Sequence, residues 1–272
     1  MEGYIDYEME DQVLTGHKPI PINIANKVKK SICKIIILNE KGVNCYGTGF
    51  FMKISDKLKC LITNYHVLNP NSIKFTIELE IWNKNKIKLN INDLYIKYFQ
   101  KPKDVTVIEI QDLYDIYQDI EFLDYDINYK QNGYLIYQDV DVFSVHHPLG
   151  DSASCANGKI KSIKGYEFNH NIPTEFGSSG CPIIILYNNL DLIQVIGIHK
   201  KGNNKMGINC GIFIGEIINE INEEINNNVL DENIIEDFKE IKENKMIKAE
   251  KENYITAEIY VNMMGLFHKI DI

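Results

Sequence analysis

The stretch Glu175-Phe176-Gly177-Ser178-Ser179-Gly180-Cys181-Pro182, followed at once by the apolar run Ile183 to Leu186, is the part of the chain that the rest serves. A serine between glycines, set before a short buried strand, is a turn whose backbone N–H groups can be aimed at one point. Ser179 is the candidate nucleophile. A serine hydroxyl is a poor nucleophile at its own pKa, so its use requires a base beside it and hydrogen-bond donors for the oxyanion that forms. Gly177 lets the backbone turn so that its N–H and that of Ser179 supply those donors, and Gly180 removes a side chain that would block a substrate carbonyl. The same dipeptides also mark ordinary turns, so the reading depends on a base and its orienter elsewhere.

The base is sought in Leu61-Ile62-Thr63-Asn64-Tyr65-His66-Val67-Leu68, where His66 leaves a buried strand. Small residues upstream, in Gly47-Thr48-Gly49-Phe50, are expected to leave room above the imidazole, which must reach both a nucleophile and a carboxylate. The carboxylate is sought in Lys103-Asp104-Val105-Thr106-Val107, an acid at the start of an alternating strand. Alone, Asp104 is a common turn residue. The chain order His66, Asp104, Ser179 is nevertheless that of one of the three unrelated Ser-His-Asp constellations, and each residue sits at a strand end.

Length allows one large domain or two small ones, since all-β barrels reach such sizes as single units: the chain has 272 residues. Hydrophobic residues make up 44% and charged residues 25%, values of an ordinary globular protein. A formal net charge of −9 argues against broad binding to nucleic acid, which requires a basic face. Residues 1–14 lack the pattern of a signal peptide, and no apolar run reaches the roughly eighteen residues that span a bilayer. A cytosolic or other internal location is therefore expected, without membrane attachment. Six cysteines show no C-x-x-C pairing, so no metal is expected and the thiols are read as free and partly buried.

Residues 1–21 read as an arm ending in Lys18-Pro19-Ile20-Pro21, and Asn23 to Lys30 as a short helix. Strands are expected over Ile32–Leu38, Cys45–Ile54, Cys60–Thr63, Ile73–Trp82, Ile87–Ile91 and Val105–Ile110. After a join over Asp112–Asn132, a second set is expected over Gly133–Tyr137, Val140–Val145, Gly158–Lys164, Pro182–Leu186, Leu192–His199 and Ile208–Ile214. The spacing is all-β. Beyond Ile214 the period changes, and Glu216–Ile225 and Ile234–Ile241 read as amphipathic helices. Lys242–Asn253 reads as an exposed charged stretch and Tyr254–Val261 as a strand.

Together with His147-Pro148-Leu149-Gly150, Asn157-Gly158-Lys159-Ile160 and Gly197-Ile198-His199, these motifs resemble a trypsin-like serine protease of the chymotrypsin fold. The nearest likeness is to the glutamyl endopeptidase branch, with a more distant one to the HtrA proteases, over roughly residues 30–218. The resemblance implies two six-stranded antiparallel β-barrels, about 30–111 and 133–214, in a peptidase domain over 22–218, with a helical and charged extension over 219–272. It implies His66 as general base, Asp104 as its orienter, Ser179 as nucleophile, and the Gly177 and Ser179 amides as oxyanion hole. Thr174, His199 and Gly202 are then the substrate-binding residues, receiving a Glu or Gln side chain before the scissile bond. Lys200 and Lys201 would add positive potential there. The partners implied are protein or peptide substrates, with no cofactor.

The sequence also departs from the family. Ser178 stands where secreted zymogens carry an Asp, and the sequence has no Ile-Val-Gly-Gly-like activation motif, so activation by cleavage to form that salt bridge is not expected. The rival expectation is a protease-fold binding module without catalysis.

Overall fold

The computed structural model describes residues 19–38, 41–56, 58–72, 76–81, 87–88, 95–110, 120–187, 192–203 and 207–226. The expected arm up to residue 18, the helix at 234–241, the charged stretch at 242–253 and the strand at 254–261 lie outside them.

Ile35, Ile36 and Ile37 dominate β1 (Ile32–Leu38), and such β-branched side chains suit a strand covered on both faces. The chain reaches it through α1 (Ile22–Lys29), which buries Ile24 and Val28. Antiparallel pairing carries the chain through β2 (Asn44–Lys53) and β3 (Lys59–Thr63), then β4 (Thr76–Ile81) and β5 (Ile87–Lys88), and finally β6 (Ile96–Phe99) and β7 (Val105–Glu109). These make one sheet in the order β5-β4-β1-β2-β3-β7-β6. Its core is filled by Ile35, Phe51, Leu61, Leu79 and Ile108.

The second sheet starts with β8 (Asp124–Tyr125), followed by α2 (Tyr129–Asn132), β9 (Asp141–His146) and β10 (Ser154–Lys164). It continues with β11 (Glu167–His170), β12 (Pro182–Tyr187), β13 (Leu192–Asn203) and β14 (Ile208–Phe213). The order is β12-β9-β10-β11-β14-β13-β8, and β12 also pairs with β13. Six strands therefore close into an antiparallel barrel, with β8 added in parallel on β13. Closure leaves that barrel no edges among its six strands. The first sheet has seven strands, and among the described residues no ladder joins its two ends.

After β14 a helix, α3, runs over residues 214–226. It buries Ile217, Ile218 and Ile221 and exposes Ile225, the helical spacing read from the sequence. By compactness the chain divides into residues 1–218 and 219–272. No helix among the described residues is long and apolar enough to cross a membrane.

Several segments differ from expectation: β6 and β11 form where no strand is expected, and two others change character. Tyr134–Tyr137, read as a strand, is a 3₁₀ turn entered from Gly133 at φ +67°. The Tyr134 ring stacks on Phe213 at 4.3 Å, so packing of the aromatic side chains overrides their β-propensity. The join over 112–132 is more than a connection where it is described. Leu123 bridges Met52 of the first sheet, and Asp124–Tyr125 pairs with Gln194 and Val195 of the second.

Phe168 sits at the centre of the barrel, and its ring lies against the backbone of two neighbouring strands. A Cβ at Gly197 would meet the ring at 2.5 Å and Ile212 O at 2.6 Å, and one at Gly211 would meet the ring at 2.5 Å and Ile198 O at 2.8 Å. Because a backbone carbonyl cannot swing aside, Gly197→Ala should destabilise the fold by about 1–3 kcal/mol. Urea unfolding should show a lower midpoint at an unchanged slope, and an unshifted midpoint would contradict this packing.

Candidate active site

His66 lies just beyond β3, and Asp104 just before β7, the strand that pairs with β3. Asp104 Oδ2 lies 2.7 Å from His66 Nδ1, and Asp104 Oδ1 accepts the His66 backbone N–H at 3.0 Å. The carboxylate thus holds ring and backbone of the same residue. The Nδ1 proton is donated to Asp104, which leaves Nε2 as the basic nitrogen. Asp104 is itself pinned: its carbonyl accepts from Asn64 Nδ2 at 3.0 Å and from the Tyr65 N–H at 3.1 Å. Its φ is +62°, a conformation that Asp tolerates better than most residues and that the surrounding bonds sustain. The turn before it is tied to the second sheet, where Lys200 Nζ reaches Pro102 O, and to α3, where Lys103 Nζ meets Glu216 at 3.0 Å.

Ser179 belongs to the second sheet's turn but rests on the first. Its carbonyl accepts the Thr48 N–H at 2.9 Å, and the Thr48 hydroxyl donates to Gly177 O at 2.8 Å while accepting the His147 N–H at 3.1 Å. Thr48 O in turn accepts from Thr63 Oγ1 at 2.8 Å, one residue before Asn64. The turn therefore sits beside the end of β3 that leads into His66. No hydrogen bond joins His66 to Ser179, although the Ser179 turn lies against the strand that leads into His66.

Among the described residues neither the Gly177 nor the Ser179 N–H finds an acceptor, whereas Ser178 N–H reaches Glu175 O at 3.0 Å and Gly180 N–H reaches His199 O at 3.2 Å. Gly177 adopts φ +90°, and a Cβ there would meet His147 O at 2.6 Å. Gly180 adopts φ +89°, and a Cβ there would stand 2.3 Å from Thr48 O and 2.4 Å from Thr63 Oγ1. Gly180 is thus required by contact between the turn and the first sheet, not by room for a substrate. Gly47 and Gly49 also differ from expectation: their missing Cβ atoms make way for Val67 and for Leu61, Ile35 and Cys33, not for the His66 ring.

His199 lies on β13 with its N–H on Cys181 O at 2.9 Å, so the strand is tied to the Ser179 turn. Its Nδ1 is 3.1 Å from His170 Nε2 on β11, and His170 Nδ1 is buried without a partner. A buried N–H without an acceptor costs more than an unused lone pair, so the His170 proton belongs on Nε2, donated to His199. His199 then carries its own proton on Nε2. Burial holds both rings neutral: His170 falls well below the usual histidine range, and His199 falls to about 3.

Thr174 is half-buried in the loop between β11 and the Ser179 turn, and Gly202 is exposed near the end of β13, opposite Asn209. No hydrogen bond links either to His199. Lys200 does not add free positive potential: it is buried and paired with Glu167 at 2.5 Å. Cys181 is fully buried, and burial pushes its thiol up to about 12, so it is a small core side chain. No disulfide joins any of the six cysteines, and among the described residues no cluster of His, Cys, Asp and Glu could hold a metal ion.

His146 was not singled out by the sequence, although a histidine closing the apolar strand Val142-Phe143-Ser144-Val145 was the available signal. It is 3% exposed, and its Nδ1 lies 2.8 Å from Ser178 Oγ. Burial, with His147 beside it, lowers its pKa to about 4, and burial lowers that of His147 as well. The four buried imidazoles make the fold acid-sensitive. Unfolded, each binds a proton below about pH 6.5; folded, His146 and His199 do so only near 4 and 3. Stability is therefore complete above pH 6.5 and lost as pH falls, by up to about 1.4 kcal/mol per pH unit for each group. Scanning calorimetry should show Tm falling between pH 7 and pH 5, and a flat Tm over that window would contradict neutral burial.

No protein-family model and no curated protein matches this sequence. Solved structures do match. The serine endoprotease from Yersinia pestis superposes with a TM-score of 0.56 at 16% identity, covering 76% of this chain and 67% of that one. The Rv3671c protease from M. tuberculosis does so in its active form with a TM-score of 0.54 at 18% identity, covering 74% of this chain and 85% of that one. Its inactive form gives 0.52 at 17%, covering 76% and 96%. At these identities the likeness is one of fold, the chymotrypsin-like fold of serine proteases.

Proposed function

We propose that the chain is a serine endopeptidase in which Ser179 is the nucleophile, His66 the general base and Asp104 its orienter. One observation carries the reading: a single carboxylate holds both the ring Nδ1 and the backbone N–H of His66, which leaves Nε2 as the basic nitrogen of a partly exposed imidazole. Ser179 Oγ attacks the scissile carbonyl while His66 Nε2 takes its proton, and the oxyanion is met by the unpaired N–H groups of Gly177 and Ser179. The tetrahedral intermediate collapses as His66 returns the proton to the leaving amine. Water then repeats the sequence on the acyl-enzyme, with His66 again as base.

The reading is tested by a fluorophosphonate probe on the wild-type chain and on Ser179→Ala. We expect labelling that maps to Ser179, and a loss of hydrolysis of at least about 1,000-fold in the variant at unchanged Tm. A protease-fold binding module would give neither labelling nor turnover in the wild type.

For specificity, the His199 Nε2–H is the favoured donor, because the His170 pairing occupies the other nitrogen. A neutral imidazole N–H serves a carboxylate or an amide oxygen, so the side chain accepted before the scissile bond is Glu or Gln, with Thr174 and Gly202 proposed as further residues of that pocket. The burial of Lys200 with Glu167 removes one cation that would have favoured Glu through charge. Peptides differing only at that position should be cleaved with a kcat/KM preference for Glu or Gln. Preference for Lys, Arg or a large aromatic residue would overturn the pocket.

A further inference from the structure

Ser178, the residue between the two unpaired N–H groups, is fully buried, yet its side chain is polar. Its Oγ accepts the Glu175 N–H at 3.1 Å, and the Ser178 N–H returns to Glu175 O at 3.0 Å, so residues 175–178 are closed by a reciprocal pair. The hydroxyl proton needs an acceptor, and His146 Nδ1 stands 2.8 Å away at the end of β9. With the imidazole neutral and its proton on Nε2, Glu175 N–H donates to Ser178 Oγ and Ser178 O–H donates to His146 Nδ1. Both contacts of the hydroxyl are then satisfied in one direction. The opposite tautomer would make His146 a second donor to Oγ and leave the hydroxyl proton buried without an acceptor.

The neighbouring bonds make this hydrogen bond a hinge point. His147, the next residue, gives its N–H to Thr48 Oγ1, and Leu149 gives its N–H to Phe176 O. The end of β9 and the residues after it therefore hold the turn at residues 176 and 178, on both sides of Gly177.

We propose that His146 is a positioning residue for the oxyanion-binding turn: by accepting the Ser178 hydroxyl proton it keeps residues 175–180 in the conformation that leaves the Gly177 and Ser179 N–H groups free. The turn is thereby held by an internal neutral hydrogen bond. The inference rests on the peptidase reading for its catalytic consequence, but not for its structural one.

The test uses the full chain with His146→Leu and His146→Asn, whose Oδ1 can take the place of Nδ1 as acceptor. Amide hydrogen exchange followed by mass spectrometry reports peptides spanning residues 174–182, and steady-state kinetics reports kcat and KM separately. His146→Leu should speed exchange in those peptides at least about tenfold, leave peptides from β1 and β7 unchanged, and lower kcat about 100-fold with KM little altered, the loss associated with one oxyanion donor. His146→Asn should restore most of both. If His146→Leu does not fold, Ser178→Ala removes the same hydrogen bond from the other side and should give the same local exchange. Wild-type exchange in a folded His146→Leu or Ser178→Ala chain overturns the proposal. Failure of the peptidase reading shows separately, as a wild type that neither labels nor hydrolyses, and the exchange arm still decides the role of His146.

Discussion

Thr48 is the contact on which the candidate site depends, because the groups that must meet belong to two different sheets. His66 and Asp104 flank strands of the first sheet, whereas Ser179 sits on a turn of the second. The Thr48 hydroxyl donates to Gly177 O and accepts from His147 N–H, and the Thr48 N–H reaches Ser179 O. All three bonds are buried, where leaving one unmade costs about 1–3 kcal/mol. A slip of the turn along β2 would break them together. Gly180 follows from the same constraint, since only a residue without Cβ fits between Thr48 O and Thr63 Oγ1.

The second sheet adds an unusual interior. A closed barrel is expected to be filled by apolar side chains, and this one is centred on Phe168, Ile183 and Phe213. Beside that core lie His146, His170 and His199, all buried and neutral. Neutral imidazoles suit this position better than ions, because each offers one donor and one acceptor without the solvation cost of a charge. A charge pair nearby, Lys200 with Glu167, ties the barrel to the turn that carries Asp104 through Pro102 O. Polar side chains in the interior thus serve placement of the two halves.

The same considerations explain how the fold persists at identities of 16–18% to the solved proteases. Core positions demand apolar volume of about the right size, which many sequences provide. The positions that tolerate little are few: glycines pressed against backbone, a hydroxyl bridging two sheets, and an acid in a left-handed conformation.

Much of the architecture was legible in the residues themselves. Runs rich in β-branched residues such as Val105–Glu109 and Ile32–Leu38 announced strands, and the change of period after Ile214 announced α3, whose apolar residues fall on one face. His66, Asp104 and Ser179 were legible as candidates because a nucleophile needs glycine turns and a base needs a strand end. Tertiary structure decided what depends on contacts distant in sequence. Tyr134–Tyr137 became a 3₁₀ turn because Phe213 offered its ring a stacking face. Polar β11 formed because β10 and β14 paired with it on both sides, against its weak propensity. Gly47 and Gly49 answered to Val67 and Leu61, and the roles of Thr48, His146 and His170 rest on hydrogen bonds to residues 29 to 129 positions away. A sequence specifies which groups a side chain offers, but only the folded chain determines which partner each group finds.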